Sequence, residues 1–539
     1  MKGCSMEKIS RRSKWMDWKD FYNEIIRKPI YWLCMAFTLI LAFLFDLTNR
    51  TVGIDDLSRT YYIGDGNEML AGTRWGKTLW IRLLSNCEYA PFIDKYLSIL
   101  FLIVSAVLFS KLLYTYFSNN EHILLICTLF SCSFVTFPLL NEVWVYNDSN
   151  VVAAGNEVLV AVSVLLLFRS GKFFSRESVI SSFLLAVVVS SYESAGFLYI
   201  SVVLSVILLD YIFRDRKNWI TNGVRYAVPL VIALILRYAI GFGLIHMFHL
   251  EYRPNGATEI QWQFSENLIS QIVSLLSETL NYYFGRGLIY YPITVFVAAF
   301  VMGTVWTMGN VLRKKDFMIL VLFILLCLSL FLQSFVQGKV MPYRTAQTIQ
   351  YFSAFSLAVF LFGLSMTQKR RLFAVMVVLV SFMIYRQAVF LNRCLALNNQ
   401  RSEIEASAAQ QIGYRLKSMY EEKPVIFVGW FDFGENINRQ IRPDYSTPWG
   451  FLYRKIAIHL GWNYNLTKAY DTNISTVLVW NTGAFHSQKM MAEYFSYFGY
   501  DIPVRDNDDI YEYKQIAIRE GMKPLDILDI GDYILVYLG

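Results

Sequence analysis

The chain has 539 residues, with 49 Lys and Arg against 42 Asp and Glu, which gives a net charge of +7. Hydrophobic residues make up 55% of it and charged residues only 17%, whereas about a quarter of the residues of an ordinary soluble domain are charged. This composition excludes a disordered protein, a coiled coil, a collagen and an ordinary cytosolic enzyme. It predicts an integral membrane protein that works in a lipid bilayer and has no nucleic-acid partner.

Apolar runs of spanning length recur along the chain. A helix needs roughly 20 apolar residues to cross the hydrocarbon core. About eleven runs qualify: 29–48, 93–117, 122–141, 151–168, 178–191, 194–213, 224–248, 288–311, 317–336, 350–367 and 372–391. The sequence therefore predicts an α-helical polytopic membrane protein with about eleven transmembrane helices.

The segment before the first run, residues 1–28, is basic and amphipathic. It holds eight Lys and Arg, and Trp15, Trp18, Phe21 and Ile25 lie at helical spacing. A helix of this kind binds the anionic cytoplasmic surface of a membrane. We expect residues 1–28 to form a cytoplasmic interfacial segment.

The connectors between the runs predict the orientation of the chain. Lys and Arg cluster in four connectors that all fall on the side of the N-terminus if there are eleven spans: 169–176, 214–217, 313–315 and 369–371. Basic connectors stay in the cytoplasm. The N-terminus is therefore predicted to be cytoplasmic, and the chain after about residue 392 to be extracytoplasmic.

Three segments outside the spans are long enough to carry function. Within the transmembrane part, 29–391, the outer loops are 49–92 and 249–287, and the tail 392–539 is net acidic, unlike the rest. We predict a small extracytoplasmic α/β domain for the tail. Its predicted helices are Asn398–Tyr420, Pro448–Leu460 and Ser487–Phe498, and its predicted strands are Val425–Gly429, Thr476–Trp480 and Tyr533–Leu538.

The first outer loop holds the most informative pattern, Ile54-Asp55-Asp56-Leu57-Ser58-Arg59 followed by Gly72-Thr73-Arg74-Trp75-Gly76. Adjacent carboxylates just past a span lie where a lipid presents its head group. One of them could take the proton from an acceptor hydroxyl, as general bases do. The competing interpretation is that Asp55 caps a helix and Asp56 lies in its first turn.

These two stretches resemble the bacterial serotype-converting O-antigen glucosyltransferases, as do the many spans and the large outer tail. That family belongs to the type C glycosyltransferases, which use a polyprenyl-phosphate-linked sugar and carry an acidic motif in the first outer loop. The resemblance is specific only over residues 54–76. It implies a GT-C-like fold, a bacterial cytoplasmic membrane location and Asp55 or Asp56 as the catalytic base.

Cations on the outer side are the candidates for binding the donor phosphate. Outer loops usually avoid Lys and Arg, and guanidinium groups match phosphate geometry. Arg344 is the first choice, assisted by Lys339 or Arg74, and Arg59 is a further candidate. The alternative for each is a side chain that reaches the lipid head groups without binding substrate.

Arg237 lies in the middle of an apolar run, where a charge costs about 2.5–3.5 kcal/mol on insertion scales. It needs a partner or a polar cavity, and Glu157 and Glu193 are candidates. A structural ion pair and a substrate pathway are both open interpretations. Glu193 and Asp148 also form a second acidic set, which could orient the acceptor or, for Glu193 with Asp56, hold a divalent cation; a solvated loop acid is the alternative.

We therefore expect a hexosyltransferase (EC 2.4) that moves a hexose, such as glucose, from a polyprenyl phosphate to a cell-surface glycan or its lipid-linked precursor. The resemblance implies that a polyprenyl-phosphate glycosyltransferase and a flippase supply the donor. No cofactor or metal is firmly predicted. The alternatives are a flippase or transporter of lipid-linked glycans, and a glycan polymerase or ligase.

Overall fold

The protein is described from a computed structural model. The structure describes residues 18–49, 51–53, 56, 67–85, 91–170, 173–214, 218–253, 261–262, 267–284, 291–367, 369–419, 423–433, 455, 458–459, 478, 488–505 and 510–539.

Helices make up most of the described chain. They are α1 (Trp18–Phe21), α2 (Pro29–Thr48), α3 (Asn67–Ala71), α4 (Trp75–Ser85), α5 (Pro91–Phe117), α6 (Ile123–Val135), α7 (Leu140–Trp144), α8 (Asn147–Ser170), α9 (Arg176–Ser191), α10 (Glu193–Phe213), α11 (Trp219–Met247), α12 (Leu268–Phe284), α13 (Tyr291–Lys314), α14 (Met318–Ser329), α15 (Leu332–Gln337), α16 (Gln347–Ser365), α17 (Arg370–Met419), α18 (Gln488–Tyr497) and α19 (Ile510–Arg519).

Eight of the described helices are long and apolar enough to cross a membrane: α2, α5, α8, α10, α11, α13, α16 and α17. This confirms a membrane protein built of transmembrane helices. The shorter helices α6, α9 and α14 fall on three further predicted runs, at 122–141, 178–191 and 317–336. The total of eleven stays a prediction.

The core lies between the helices and consists of aromatic and small side chains. Phe117 and Phe362 stack with their ring centroids 3.9 Å apart, which joins α5 to α16. Buried hydroxyls bond across helices, as Ser201 and Ser329 do at 2.8 Å. Small residues and interhelical hydrogen bonds are the usual means of joining helices in lipid, where no hydrophobic drive acts between them.

Glycines let α4, in the first outer loop, lie close against the spans. A Cβ on Gly76 would come within 2.5 Å of the Val187 carbonyl oxygen on α9, and one on Gly155 of α8 within 2.9 Å of the Trp80 ring. The Trp80 indole also donates to Asn156 at 3.1 Å. These contacts fix the start of α4, where Arg74 lies.

A buried ion pair fixes the outer end of α2. Lys95 Nζ lies 2.8 Å from Asp46 Oδ1, and the same ammonium bonds the carbonyl oxygens of Asp46 and Asn49. The pair joins α2 to α5 directly before the loop 49–92, so the start of that loop is held at a fixed point.

Helix α17 runs without interruption from a span into the tail. It has 50 residues, or about 75 Å at 1.5 Å per residue. The predicted boundary at residue 392 therefore lies inside a helix, and the predicted helix Asn398–Tyr420 is its outer continuation. The division into domains stays a prediction.

The described part of the tail contains a three-stranded sheet of β1 (Val425–Val428), β2 (Asp526–Asp529) and β3 (Ile534–Tyr537). The strand order is β1-β3-β2, with β1 parallel and β2 antiparallel to β3. This confirms a small C-terminal sheet. The predicted strands Val425–Gly429 and Tyr533–Leu538 match β1 and β3, and the predicted helix Ser487–Phe498 matches α18.

Other predicted elements fall largely outside the described residues. These are the strand Thr476–Trp480, of which only Leu478 is described, and most of the helix Pro448–Leu460. Of the interfacial segment 1–28, the structure describes the part from Trp18 onward, where Phe21 and Ile25 are fully buried. Helix α19 and strand β2 were not predicted.

Candidate functional site

A cluster of two arginines and one glutamate lies where α4 and α10 begin and α11 passes beside them. Arg74 makes a two-pronged contact with Glu193, with Nε–Oε1 at 3.1 Å and Nη2–Oε2 at 2.7 Å. Arg237 Nη2 reaches the same Oε1 at 2.9 Å. The side chains are 11%, 13% and 5% exposed in the order Arg74, Glu193, Arg237. The single carboxylate of Glu193 thus balances one of the two positive charges of Arg74 and Arg237 in a largely buried cluster.

Local backbone features bring these three residues together. Glu193 is the first residue of α10 and follows a single extended residue, Tyr192, which separates α10 from α9. Thr73 has a positive φ of 59° and lies against Gly241, where a Cβ would come within 2.8 Å of the threonine Cβ. The Trp75 indole donates to the Arg237 carbonyl at 3.2 Å. The contacts of Thr73 and Trp75, on either side of Arg74 in the chain, therefore hold Arg74 against Glu193 at the start of α10.

The charge state of Arg74 follows from these neighbours. Burial disfavours the charged guanidinium, but the carboxylate of Glu193 outweighs that effect and raises the pKa of Arg74 above its ordinary value. The positive charge of Arg344 acts in the opposite direction, because it lies near enough to repel.

Arg344 is held by residues of the short helix α7 and the turn after it. Its backbone N–H donates to Glu142 Oε2 at 3.0 Å, and its Nη1 donates to the Tyr146 hydroxyl at 2.9 Å. The Tyr192 hydroxyl donates to the Arg344 carbonyl at 3.3 Å. Tyr192 directly precedes Glu193, so it connects Arg344 to the arginine–glutamate cluster.

A small cavity of roughly 10 Å³, room for about one water molecule, lies beside Arg344. Apolar side chains of Leu140 and Val143 line one part of it, and the polar side chains of Gln347 and Gln350 line another. The lining combines a cation, two amides and an apolar wall around a space no larger than one water molecule.

Asp56 is fully buried in the first outer loop. Its Oδ2 accepts a hydrogen bond from the backbone N–H of Gly53, three residues earlier, at 2.8 Å. Thr51 and Val52 of the same loop contact Asn399 and Ser402 on the outer part of α17, at 3.4 and 3.5 Å. The interpretation in which Asp55 caps a helix concerns a residue outside the described part of the chain, so it stays open. The loop is also packed on the helix that leads into the tail.

The remaining predicted residues are only partly described. Lys339 follows Gly338, whose φ is 71°, and is half-buried at the outer end of α15. Asp148 lies in the first turn of α8, but its side chain is outside the described part. Asp55 and Arg59 are both outside the described residues.

Glu157 does not pair with Arg237. It is buried in α8, where Ser105 donates to its Oε2 at 3.4 Å. Glu193 is the acidic partner of Arg237, so of the two candidates the structure selects the second. A divalent cation held by Glu193 with Asp56 stays a prediction. Among the described residues, no group of three or more His, Cys, Asp or Glu is placed to hold a metal ion.

Several residues of this region were not predicted. Glu142 and Tyr146 hold Arg344, and Arg401 and Glu405 are each 1% exposed on the outer part of α17. Glu405 accepts a hydrogen bond from the Leu478 backbone N–H, and Arg401 lies 5.9 Å from the Phe433 ring centroid. In the sequence, Arg401 and Glu405 are charged residues at helical spacing within a polar helical run. That pattern is typical of a solvent-facing helix, so it did not point to buried residues.

One comparison with known proteins identifies the family. A family model described as glucosyl transferase GtrII matches residues 44–386, which is 343 of the 539 residues. The chain belongs to the GtrII glucosyl transferase family. This confirms the resemblance to the serotype-converting O-antigen glucosyltransferases and supports a glycosyltransferase in a membrane. Comparisons with curated proteins and with solved structures give no match.

The part that matches the GtrII family contains the whole arginine–glutamate cluster. It begins within α2 and ends in the membrane part of α17, so it includes Asp56, Arg74, Glu193, Arg237 and Arg344. The outer part of α17 and the sheet lie beyond it. The charged site is therefore a feature of the part of the chain that carries the family resemblance.

Proposed function

We propose that this protein is an integral-membrane hexosyltransferase with a GT-C-like fold. It takes a hexose, with glucose as the first choice, from a polyprenyl monophosphate and transfers it to a hydroxyl of a cell-surface glycan or its lipid-linked precursor. The observation that carries the proposal is membership of the GtrII glucosyl transferase family, over residues that include Arg344 and the cluster of Arg74, Glu193 and Arg237.

The proposed step is a substitution at the anomeric carbon of the sugar. The acceptor hydroxyl oxygen forms the new bond to that carbon, and the bond between the carbon and the phosphate oxygen breaks. The electron pair of the broken bond leaves with the polyprenyl phosphate. The acceptor proton passes to a carboxylate of the first outer loop, Asp56 or Asp55, which acts as general base.

Arg344 is the proposed main contact of the donor phosphate. Its guanidinium is anchored by Tyr146, and it lines the cavity between α7 and α16. Fixed cations aimed at the leaving group stabilise the charge that develops there. Lys339 and Arg59 are proposed to assist from neighbouring outer loops, and Arg74 to contribute positive charge while its geometry is held by Glu193.

The proposed setting is the cytoplasmic membrane of a bacterium, with the N-terminus in the cytoplasm and the site and tail outside. The basic connectors 169–176, 214–217, 313–315 and 369–371 support this orientation. A donor made inside the cell then requires a polyprenyl-phosphate glycosyltransferase to form it and a flippase to move it. The tail would bind the acceptor or cover the site.

The alternative of a transporter loses its main support. Arg237 suggested a polar pathway through the helices, but it is bonded to Glu193 and its carbonyl to Trp75, which is a local structural arrangement. No observation favours a polymerase or ligase over a monosaccharide transferase.

The test uses the purified full-length protein in lipid, with a radiolabelled polyprenyl-phosphate glucose and a cell-envelope glycan extract. We expect wild type to move label to glycan, and Asp56→Asn or Asp55→Asn to abolish transfer. Asparagine keeps an oxygen that can accept the Gly53 hydrogen bond, so the loop can keep its conformation. The exposed Asp532→Asn is the matched control and should transfer at the wild-type rate.

Each outcome distinguishes the roles of the acidic residues. Loss of transfer with unchanged thermal stability supports the base. Equal transfer in wild type and in both variants would mean that the two acids only cap a helix. No transfer by wild type from this donor would overturn the proposed donor.

A further inference from the structure

A second charged cavity lies at the other end of the helices. It has a volume of roughly 180 Å³ and is lined by Phe168, Asp210, Arg214, Asn222 and Arg225. These residues come from the ends of α8 and α10 and the first two turns of α11. We call this feature the basic cavity.

The basic cavity is far from the candidate site. Glu193 begins α10 and Arg214 directly follows its last residue, with 21 helical residues between the two ends. At 1.5 Å per residue this separation is about 30 Å, the thickness of a bilayer core. The basic cavity therefore opens at the opposite membrane face, in the proposed orientation the cytoplasmic one.

Aromatic rings hold Arg214 in place at the cavity. Its guanidinium carbon lies 4.8 Å from the Tyr116 ring centroid and 4.6 Å from that of Phe168. Its Nη1 lies 3.6 Å from Asp210 Oδ1, which accepts a closer hydrogen bond, 2.8 Å, from the Tyr116 hydroxyl. The aspartate is thus shared, and its bond to Arg214 is long for a salt bridge.

Arg225 supplies the second positive charge. Its guanidinium lies 5.0 Å from the Tyr226 ring centroid, and its Nε is buried without a hydrogen-bond partner among the described residues. A buried N–H without a partner costs free energy unless something binds it. Two guanidinium groups against one carboxylate leave the lining with a net positive charge.

We propose that the basic cavity binds the phosphate of an anionic ligand, with Arg225 and Arg214 as the contacts and Asn222 as a further donor. Guanidinium groups suit phosphate because their N–H donors form a planar fork. Basic cavities between helices at the cytoplasmic side take anionic lipid head groups. The phosphate comes either from a phospholipid of that leaflet or from free inorganic phosphate.

The experiment measures binding to the delipidated full-length protein by native mass spectrometry and by the rise in Tm that a ligand causes. The probes are phosphatidylglycerol, phosphatidylcholine with the same acyl chains, and inorganic phosphate. We expect wild type to bind phosphatidylglycerol more tightly than phosphatidylcholine. Arg225→Gln should weaken that binding at least about tenfold, since charge-assisted hydrogen bonds are lost.

Two variants keep the result interpretable. Arg225→Lys retains the charge and should keep most of the binding, and Arg371→Gln, an exposed arginine of another basic connector, should leave it unchanged. Arg225 is chosen over Arg214 because its replacement removes no partner of Asp210. None of these residues belongs to the proposed transferase site, so transfer activity reports separately on that site.

The lipid probes and the inorganic phosphate probe distinguish the two sources of phosphate. Tight binding of phosphatidylglycerol with no effect of inorganic phosphate identifies a lipid head group, whereas equal protection by inorganic phosphate identifies the free anion. Equal affinity of wild type and Arg225→Gln for both phosphate probes would overturn the proposal. Equal affinity of wild type for the two lipids, without phosphate binding, would overturn it too.

Discussion

The arginine–glutamate cluster gives the sharpest prediction about stability. Glu193→Gln removes the one negative charge that Arg74 and Arg237 share and leaves both guanidinium groups largely buried, with side chains 11% and 5% exposed. The substitution conserves shape, and the amide oxygen can still accept one hydrogen bond. The loss is therefore one of charge and not of packing.

The expected magnitude follows from the burial of the cluster. Breaking a buried ion pair by removing one partner costs about 3–5 kcal/mol, because the remaining charge is left desolvated without compensation. Replacing all members by apolar side chains is often close to neutral. We therefore expect Glu193→Gln to lose about 3–5 kcal/mol and the triple variant Arg74→Met, Glu193→Leu, Arg237→Met to regain most of it.

The free energy of unfolding would be measured by titration with a denaturing detergent, with thermal unfolding as the second readout. The control is Glu251→Gln, which makes the same change in a pair with Arg253 that is more than 70% exposed on both sides and should show no measurable loss. A Glu193→Gln variant as stable as wild type, or a triple variant less stable than the single one, would refute the buried-charge reasoning.

Three further predictions concern other parts of the molecule. Arg344→Gln should lower kcat/KM by about 10²–10³, as the loss of a donor that stabilises developing charge does. Tyr146→Phe removes only the hydroxyl that anchors Arg344 and should lower kcat/KM less. An Arg344→Gln enzyme with wild-type kcat/KM would contradict the phosphate contact. Gly76→Ala should destabilise the protein by about 1–3 kcal/mol, since a Cβ there meets a backbone oxygen. The control Gly243→Ala should leave the stability unchanged, because a Cβ there has nothing within 4 Å. Equal Tm values of the two variants would show that α4 is not closely packed. The Lys423 hydrogen bond and the Gly531 N–H hold the pKa of Asp529 below its ordinary value. The difference in Tm between wild type and Asp529→Asn should therefore be present near neutral pH and vanish as the pH falls through the lowered pKa. A difference in Tm that does not change with pH would contradict this stabilising role of the Asp529 carboxylate.

The residues of the charged cluster could be predicted one by one, but their contacts could not. Arg237 stood out because a charge in an apolar run needs a partner, and Glu193 stood out because its connector is so short. Arg74 and Glu193 are 119 residues apart in the chain, and no local pattern records that separation. The choice of Glu193 over Glu157 depends on the packing of α4 against α9 and of α11 against α9 and α10.

The continuous helix α17 shows a different limit of sequence reasoning. Hydropathy falls sharply after residue 391, which favoured a boundary there. The fall reflects a change of surroundings from lipid to water and not the end of a helix. Residues 370–419 contain no proline and a single glycine, Gly413, so nothing in them stops the helix.

The strands β1 and β3 could be predicted because they are short apolar runs, buried almost throughout. Strand β2 was missed because Asp526 and Asp529 at its ends make it look like a loop, although it pairs at the edge of the sheet with β3. The evidence that residues 526–529 form a strand is their pairing with β3, and this pairing exists only in the folded chain.

The central claim is that a hexose leaves a polyprenyl monophosphate when it reaches the acceptor. The most direct measurement counts polyprenyl monophosphate released for each hexose transferred by the purified protein in lipid. We predict one polyprenyl phosphate for each hexose, with both products lost together in Arg344→Gln. Transfer accompanied by release of a polyprenyl diphosphate, or transfer with no lipid phosphate released, would contradict the account.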